Sequence, residues 1–361
     1  MSVFSHPEFD GHEKLVFHHD RSSGLKAIVA IHNTNLGNAL GGCRMWNYAS
    51  DDDAIADVLR LSKGMTYKAA ITGLNIGGGK SVIIGNPRRD KTPELLRAMG
   101  RFVNSLNGEY ITAEDVGIYE EDVKVIASET EYVTGFDSNS VGINGPSPYT
   151  AYGVFRGIEA AVRFRLGRNN LEGIRVAIQG VGKVGFELAQ LLINAGAEVT
   201  AADIFTDNLE RAVRELGVIP VPADQILYQQ VEVLAPCAMG ATLNKETIPQ
   251  LKASIVAGSA NNQLGDRSDG ERLTEAGILY VPDYVINAGG LIKVYYQYFG
   301  ADRQEVISHI DQIAEETLPR IFSVARELRK PTSVIADELA RERFMAGEFA
   351  QTNAALTVVG I

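Results

Sequence analysis

Between Ile174 and Asp203 the chain carries a pattern that leaves few folds open. Ile174-Arg175-Val176-Ala177-Ile178-Gln179 reads as a strand, and Gly180-Val181-Gly182-Lys183-Val184-Gly185-Phe186 follows it directly. Apolar residues then recur at helical spacing through Leu188, Leu191 and Leu192, and a second strand-like run, Glu198 to Ala202, ends on Asp203. A lone G-x-G-x-x-G says little. Set between a strand and a helix, with an acid at the end of the next strand, it is the dinucleotide-binding unit of a doubly wound α/β sheet. Such a unit seats a pyrophosphate at a helix N-terminus and offers a carboxylate to the adenosine ribose hydroxyls. Gly180 to Phe186 and Asp203 are therefore the expected cofactor contacts, and an acid at 203 repels a 2′-phosphate, which favours NAD over NADP.

Further strand-like runs at Val231–Ala235, Ser254–Ala257 and Ile278–Val281 continue this sheet, each ending in a polar or glycine-containing segment. Ligands gather at the carboxyl ends of such strands. Ala238, Asn261, Asn262 and Asn287 lie in those segments and are candidates for cofactor or substrate contacts; the alternative for each asparagine is Asx-turn geometry in a loop.

The N-terminal half is organised around Gly64-Met65-Thr66-Tyr67-Lys68 and Gly77-Gly78-Gly79-Lys80-Ser81. Three glycines in a row mean that something approaches the backbone closely, or that it takes positive φ. A lysine beside them is an anion's point charge, a base, or a solvated side chain on a surface turn. A phosphate-binding P-loop is excluded: it needs glycine at position 74, which is Leu74, and the β-like Val82-Ile83-Ile84 follows the lysine instead of preceding the loop. Leu25–Ile31 reads as a strand, and Gly41-Gly42 within Leu40–Trp46 exposes backbone N–H groups. Ser50 is the N-cap of a helix that has Asp51, Asp52 and Asp53 in its first turn and runs towards Lys68. A second helix covers Pro93–Leu106, and the strand Tyr110–Ala113 delivers Glu114 and Asp115, as caps or as catalysts. Gly135–Pro148 has the composition of a linker or active-site loop, and a helix starts at Thr150. The tail predicts one long amphipathic helix over Asp302–Lys330 and another over Ser333–Phe344.

At 361 residues, 45% of them hydrophobic, the chain exceeds one ordinary core, so two domains are expected. A net charge of −11 without a basic run argues against nucleic acid as a partner. Two cysteines, Cys43 and Cys237, give neither a disulfide framework nor a zinc site and point to a reducing compartment; no metal is expected. The first residues lack a basic segment followed by an apolar one, and no apolar run reaches the length of a membrane span, so a cytoplasmic location without membrane association is expected.

Leu40–Trp46, Gly64–Lys68, Gly77–Lys80, Thr112-Ala113-Glu114-Asp115-Val116-Gly117, Gly258–Leu264 and Pro282–Gly290 stand in the order and spacing of one family. From about Gly11 to Phe344 the chain resembles the Glu/Leu/Phe/Val amino acid dehydrogenases, their leucine-type members most. The resemblance implies an N-terminal α/β substrate-binding and oligomerisation domain over 1–140 and a Rossmann NAD-binding domain over 141–330. It also implies a C-terminal helix over 331–361 that returns to the first domain, an active site in the cleft between the domains, and a homo-oligomer, octamer or dimer. The implied reaction is NAD-dependent, reversible oxidative deamination of an L-amino acid to the 2-oxo acid and ammonia. Carried over by position, Lys80 is the general base that activates water, and Asp115 shuttles the amino group's proton. Lys68 binds the substrate carboxylate with Asn261 and the backbone at Gly41 and Gly42, while Thr150 and Asn287 lie near the nicotinamide. A lysine base needs a lowered pKa, which a desolvated site and a second cation provide.

Leu40, Ala113, Leu291 and Val294 match the family's side-chain pocket. All four are apolar, which disfavours glutamate and favours leucine, valine or isoleucine, with phenylalanine or tryptophan as the alternative. Lys183, Ile118, Tyr149 and the Lys293–Tyr296 segment depart from the leucine-type pattern without touching Lys68, Lys80 or Asp115, and the loop before Asn144 is shorter. A catalytically silent NAD-binding protein is the remote alternative.

Overall fold

In the computed structural model, which describes residues 3–136, 145–300 and 302–359 (347–359 by backbone only), the chain divides into two units. The first comprises Met1–Asn144, Val294–Gly300 and Leu339–Ile361; the second comprises Gly145–Lys293 and Ala301–Glu338. Residues 137–144, the heart of the expected linker with Asn144 in it, lie outside the described residues.

The first unit runs β1 (Lys14–Asp20), β2 (Leu25–Asn33), β3 (Ala39–Trp46), α1 (Asp51–Ile71), β4 (Gly77–Ile84), α2 (Pro93–Asn104), β5 (Tyr110–Ala113) and α3 (Glu120–Ala127). Its sheet has the order β1-β2-β4-β3-β5, antiparallel from β1 to β4 and parallel from β4 to β5. α1 starts where capping chemistry dictates: the Ser50 hydroxyl accepts from the Asp53 N–H at 3.2 Å, and three aspartates face the positive end of the helix.

Register assigns the two faces of this sheet. Leu40, Gly42 and Arg44 of β3 share one face with Gly78, Lys80 and Val82 of β4 and with Ala113 of β5. Ile28, Ala30 and Val82 pack there against Ala54 and Val58 of α1. The opposite face buries Ala39, Cys43, Met45, Ile83 and Tyr110 against α2 and α3.

The glycine triplet belongs to the strand. β4 begins at Gly77, five residues before the predicted β-like run at Val82, and none of the three glycines has positive φ. What approaches them is the chain itself. A methyl at Gly78 would lie 2.1 Å from the Thr66 amide nitrogen of α1, and one at Gly79 would lie 2.7 Å from the Tyr110 ring. The surface-turn reading of this segment is therefore corrected: Gly77 to Ser81 are all buried.

The second unit opens with α4 (Ser147–Leu166), then β6 (Arg175–Gln179), α5 (Lys183–Asn194), β7 (Glu198–Ala202), α6 (Thr206–Leu216), β8 (Ile219–Pro220), β9 (Val233–Pro236) and β10 (Ile255–Val256). It continues through α7 (Ser268–Glu275), β11 (Leu279–Tyr280), α8 (Asp283–Ile286) and α9 (Gly289–Phe299), the last passing into the first unit from Val294. The sheet is parallel throughout, in the order β11-β10-β9-β6-β7-β8. Counted from β6 this is the 3-2-1-4-5-6 order of the doubly wound dinucleotide fold, with its switch point between β6 and β9.

Three expectations are corrected here. The Asp283–Gly290 segment is mostly helical, with Asn287 as the C-cap of α8, and not an open loop. The tail is α10 (Arg303–Gln312) and α11 (Leu318–Leu328) joined by a π turn, Ile313–Thr317, instead of a single α-helix. Pro319 stands in the first turn of α11, where its missing N–H breaks the regular ladder, and the wider turn absorbs the break. α12 (Thr332–Val359) extends well beyond Phe344. No helix among the described residues is long and apolar enough to cross a membrane.

Candidate active site

In the first unit Lys80 and Asp115 meet. Lys80 points from the α1 face of β4 and is 6% exposed, and its Nζ lies 3.1 Å from Asp115 Oδ2. Gly42 makes room for the aspartate: a methyl there would sit 2.3 Å from the Glu114 carbonyl oxygen and 2.9 Å from Asp115 Cβ. The expectation of exposed N–H groups at this glycine pair is qualified, because Gly41 and Gly42 lie buried within β3, paired to Thr112 and Ala113 of β5.

A residue that the sequence reading passed over completes the set. Arg44 Nε donates to the same Asp115 Oδ2 at 2.8 Å, and its NH1 donates to Asp57 Oδ2 at 2.9 Å. Asp57, on α1, also accepts from the Tyr48 hydroxyl at 2.7 Å and from Arg60 at 2.8 Å. Burial works to raise the Asp115 pKa, but Lys80 and Arg44 together hold the carboxyl below its usual range. Asp57 is likewise held low, against burial, by Tyr48, Arg44 and Arg60. Strand parity puts position 44 on the face of 40 and 42, but only the register of β3 against β4 puts Lys80 on that face as well.

On the other face, the Tyr110 hydroxyl donates to the Gly41 carbonyl at 2.5 Å and lies 3.0 Å from Ser81 Oγ. This ties β5, which delivers Asp115, to β3 and β4. Cys43 is fully buried, and burial pushes its thiol up to about 12. It is structural.

Lys68 occupies the last turn of α1 and is half-buried; its carbonyl accepts from the Thr72 hydroxyl at 2.6 Å. Arg343 of α12 caps that helix end, donating to the carbonyls of Ala70 at 3.0 Å, Gly73 at 2.9 Å and Leu74 at 2.8 Å. Leu40 and Ala113 are buried on the Lys80 face. Ala113 and Val294 meet around Gly135, where an added methyl would contact both, and the Thr134 hydroxyl donates to the Val294 carbonyl at 3.1 Å. Ile118, one of the departures, is core.

In the second unit, the three glycines of the fingerprint separate by cause. Gly180 has φ +92, and a methyl there would lie 2.8 Å from Ala238 Cβ; one at Gly185 would lie 2.0 Å from the Gly180 carbonyl oxygen. Chain packing therefore dictates both. A methyl at Gly182 would meet nothing within 4 Å, and Gly182 is the exposed N-cap of α5. The backbone is bare at the one point where a pyrophosphate needs close approach, so these residues fit a dinucleotide. Val181 and Phe186 are buried, while Lys183 in the first turn is exposed and Val184 half-buried. Asp203 closes the loop, accepting from the Val181 N–H and from the Phe205 N–H, each at 2.8 Å.

Asn261 and Asn287 are brought together: Asn287 Nδ2 donates to Asn261 Oδ1 at 2.7 Å and to the Ser259 carbonyl at 3.0 Å. Asn262 has φ +52, and its carbonyl accepts from the Ala241 N–H. Ala238 is exposed beside Gly180. Thr150, in the first turn of α4, donates to the Pro146 carbonyl at 3.1 Å and would touch any side chain at Gly290. Leu291 is buried in α9.

Two family models match the chain. Residues 12–132 match the family model described as Glu/Leu/Phe/Val dehydrogenase, dimerisation domain. Residues 142–204 and 206–351 match the model for Glutamate/Leucine/Phenylalanine/Valine dehydrogenase. A leucine dehydrogenase from Thermoactinomyces intermedius is 50% identical over 343 residues, 95% of this chain and 93% of that protein. A valine dehydrogenase from Streptomyces virginiae is 42% identical over 346 residues, 95% and 96% of the two. The crystal structure of L-tryptophan dehydrogenase from Nostoc punctiforme superposes with a TM-score of 0.83 at 44% identity, covering 94% of this chain and 97% of that one.

Proposed function

The chain belongs to the Glu/Leu/Phe/Val dehydrogenase family, and on that premise we propose that it catalyses the NAD-dependent, reversible oxidative deamination of a branched-chain L-amino acid to its 2-oxo acid and ammonia. The observation that carries the residue assignment is the Lys80–Asp115 pair, 3.1 Å apart with Lys80 almost wholly buried. A desolvated amine against an ionised carboxylate is a proton-transfer pair, suited to chemistry that moves one proton at nitrogen and another at water.

Lys68 holds the substrate carboxylate, with Asn261 and the Gly41-Gly42 backbone in support. Asp115 takes a proton from the substrate amine, which frees the nitrogen lone pair to drive out the Cα hydride. A bound nicotinamide would supply the acceptor for that hydride. Lys80 in its neutral form removes a proton from water as the water oxygen bonds to Cα of the iminium. Asp115 returns its proton to nitrogen, the C–N bond breaks, and the departing ammonia takes the hydroxyl proton as the carbonyl forms, leaving as ammonium. Gly180 to Phe186, with Asp203, would hold the dinucleotide, and Thr150, Ala238, Asn262 and Asn287 would lie at its nicotinamide end.

Leucine, valine and isoleucine are the proposed substrates, in keeping with the apolar Leu40, Ala113, Leu291 and Val294. A pocket separates such side chains by about 1–3 kcal/mol per methylene, so the tryptophan enzyme at 44% identity keeps an aromatic substrate as the second reading. A homo-oligomer is proposed from the dimerisation-domain match over residues 12–132, and a cytoplasmic location from the free Cys43 and Cys237.

The test is NADH formation at 340 nm near pH ~10, where lysine deprotonates, across branched-chain, aromatic and acidic L-amino acids with NAD and NADP. Lys80→Ala is expected to abolish turnover with the fold intact by circular dichroism. Full activity in that variant would sink the assignment, and an aromatic optimum would select the second reading.

A further inference from the structure

The lysine–aspartate pair raises a difficulty that the rest of the site resolves. In the proposed reaction Lys80 is neutral when it takes a proton from water. At that moment Asp115 loses the cation 3.1 Å away, and a partly buried carboxylate left alone would rotate or pick up a proton. The geometry points to Arg44 as the positioning residue that keeps Asp115 oriented and ionised while Lys80 is neutral.

Arg44 and Lys80 both bind Asp115 Oδ2, and among the described residues Oδ1 takes no hydrogen bond. One oxygen is anchored and the other is left for the substrate nitrogen. A guanidinium holds its charge throughout turnover, so the anchor survives the step that removes the lysine's charge. Arg44 is itself fixed: Asp57 accepts from its NH1, and Tyr48 and Arg60 hold Asp57 in turn. Only a planar fork bridges two carboxylates this way, Nε to one and NH1 to the other. With Lys80 neutral, the two arginines balance the two aspartates.

This inference rests on the proposed function, and the experiment separates the two. Activity with L-leucine and NAD is measured for Arg44→Gln, Arg44→Lys, Arg44→Ala and Lys80→Ala, with unfolding followed in parallel. Arg44→Gln is expected to lower kcat about 100-fold, within the span of a positioned acid–base group, while KM for L-leucine changes less than about threefold. Arg44→Lys keeps the charge without the fork and is expected to recover only part of the loss.

The pH profile supplies a readout that a structural role alone would not move. The groups around Asp115 are Lys80 of β4, Arg44 and the Cys43 thiol of β3, Tyr110 of β5, and Tyr48, Asp57 and Arg60 beyond Arg44. Removing the arginine charge raises the proton affinity of Asp115, which must be ionised to accept the substrate's proton. The acid limb of kcat for deamination therefore moves to higher pH, by about one unit or more. Guanidinium added to Arg44→Ala is expected to restore part of kcat, which holds even if Arg44→Gln folds poorly. Wild-type kcat and pH limb in a folded Arg44→Gln, with Lys80→Ala inactive, would overturn the role of Arg44 and leave the function standing. A loss confined to KM would overturn it too, making Arg44 a substrate-carboxylate ligand. Full activity in Lys80→Ala would remove the function on which it rests.

Discussion

Gly42→Ala is the smallest change that tests how the site is built. The added methyl would fall 2.3 Å from the Glu114 carbonyl oxygen, 2.9 Å from Asp115 Cβ and 3.1 Å from the Glu114 carbonyl carbon. A carbon and a carbonyl oxygen settle near about 3.3 Å, so the end of β5 must withdraw by roughly 1 Å. β3 has little freedom to yield, because it is paired on both sides, to β4 and β5. Asp115 then leaves Lys80 and Arg44 by a similar distance, and a misplacement of that size costs about 100-fold in rate. Overpacking itself costs about 1–3 kcal/mol. Steady-state kinetics with L-leucine and a urea unfolding curve read the two effects separately. Gly182→Ala is the contrast: its methyl meets nothing within 4 Å, so unfolding is expected to be unchanged while KM for NAD rises. Wild-type kcat and stability in Gly42→Ala would refute the claim that this glycine clears space for the aspartate.

Two further predictions concern the frame around the site. His32 and His12 are buried 4.8 Å apart; burial, with His12 adding to it, pushes the His32 pKa down to about 4, and burial lowers that of His12 as well. Both imidazoles fold neutral, so their stabilisation is complete above pH ~6.5 and is lost as pH falls towards about 4, roughly 3 kcal/mol from His32 alone. Urea midpoints between pH 7 and 4.5 should fall accordingly, and less so in His32→Asn; an equal fall in both proteins would refute the assignment. Arg343→Ala removes the guanidinium from the carbonyls of Ala70, Gly73 and Leu74 at the end of α1 and is expected to destabilise by about 2–3 kcal/mol in urea, the range for charge-assisted hydrogen bonds. Arg343→Lys should recover less than half of it, since one ammonium cannot reach the carbonyls that the fork serves, and full recovery would show that charge alone matters.

The second unit was legible from residues alone, because each fingerprint position answers to a local cause. Gly180 needs positive φ, Gly185 needs contact between helix and loop, and Asp203 closes on the Val181 N–H. The first unit was legible in its parts and not in its assembly. Ser50 and its three aspartates announce α1, but the reason for Gly78 is Thr66 of that helix, twelve positions earlier and visible only once helix and strand are packed. Lys80 and Asp115 could be named from the family resemblance, whereas Arg44 required the register of β3 against β4. The helical nature of Asp283–Gly290 was hidden because Asn287 and two glycines look like turn chemistry. There they terminate α8 and allow α9 to start against the Tyr149 carbonyl, which would lie 2.0 Å from a methyl at Gly289.

The first unit's site follows from a conflict between packing and charge. Parallel pairing of β4, β3 and β5 brings three strands' side chains onto one face, and the same face must receive α1. Gly78 removes the bulk that would hold strand and helix apart, and Gly42 clears space for Asp115 at the end of β5, which leaves Lys80 and Asp115 close together in a dry setting. Two opposite charges so placed attract strongly, and by themselves would make the carboxylate depend on the lysine for its partner. Arg44 relieves that: it shares Asp115 Oδ2, so the carboxylate does not depend on Lys80 for its partner, while Asp57 keeps Arg44 from adding an unbalanced charge. The arrangement can therefore give up the proton on Lys80 without losing the geometry of Asp115, which is what a base and a proton shuttle working in turn require.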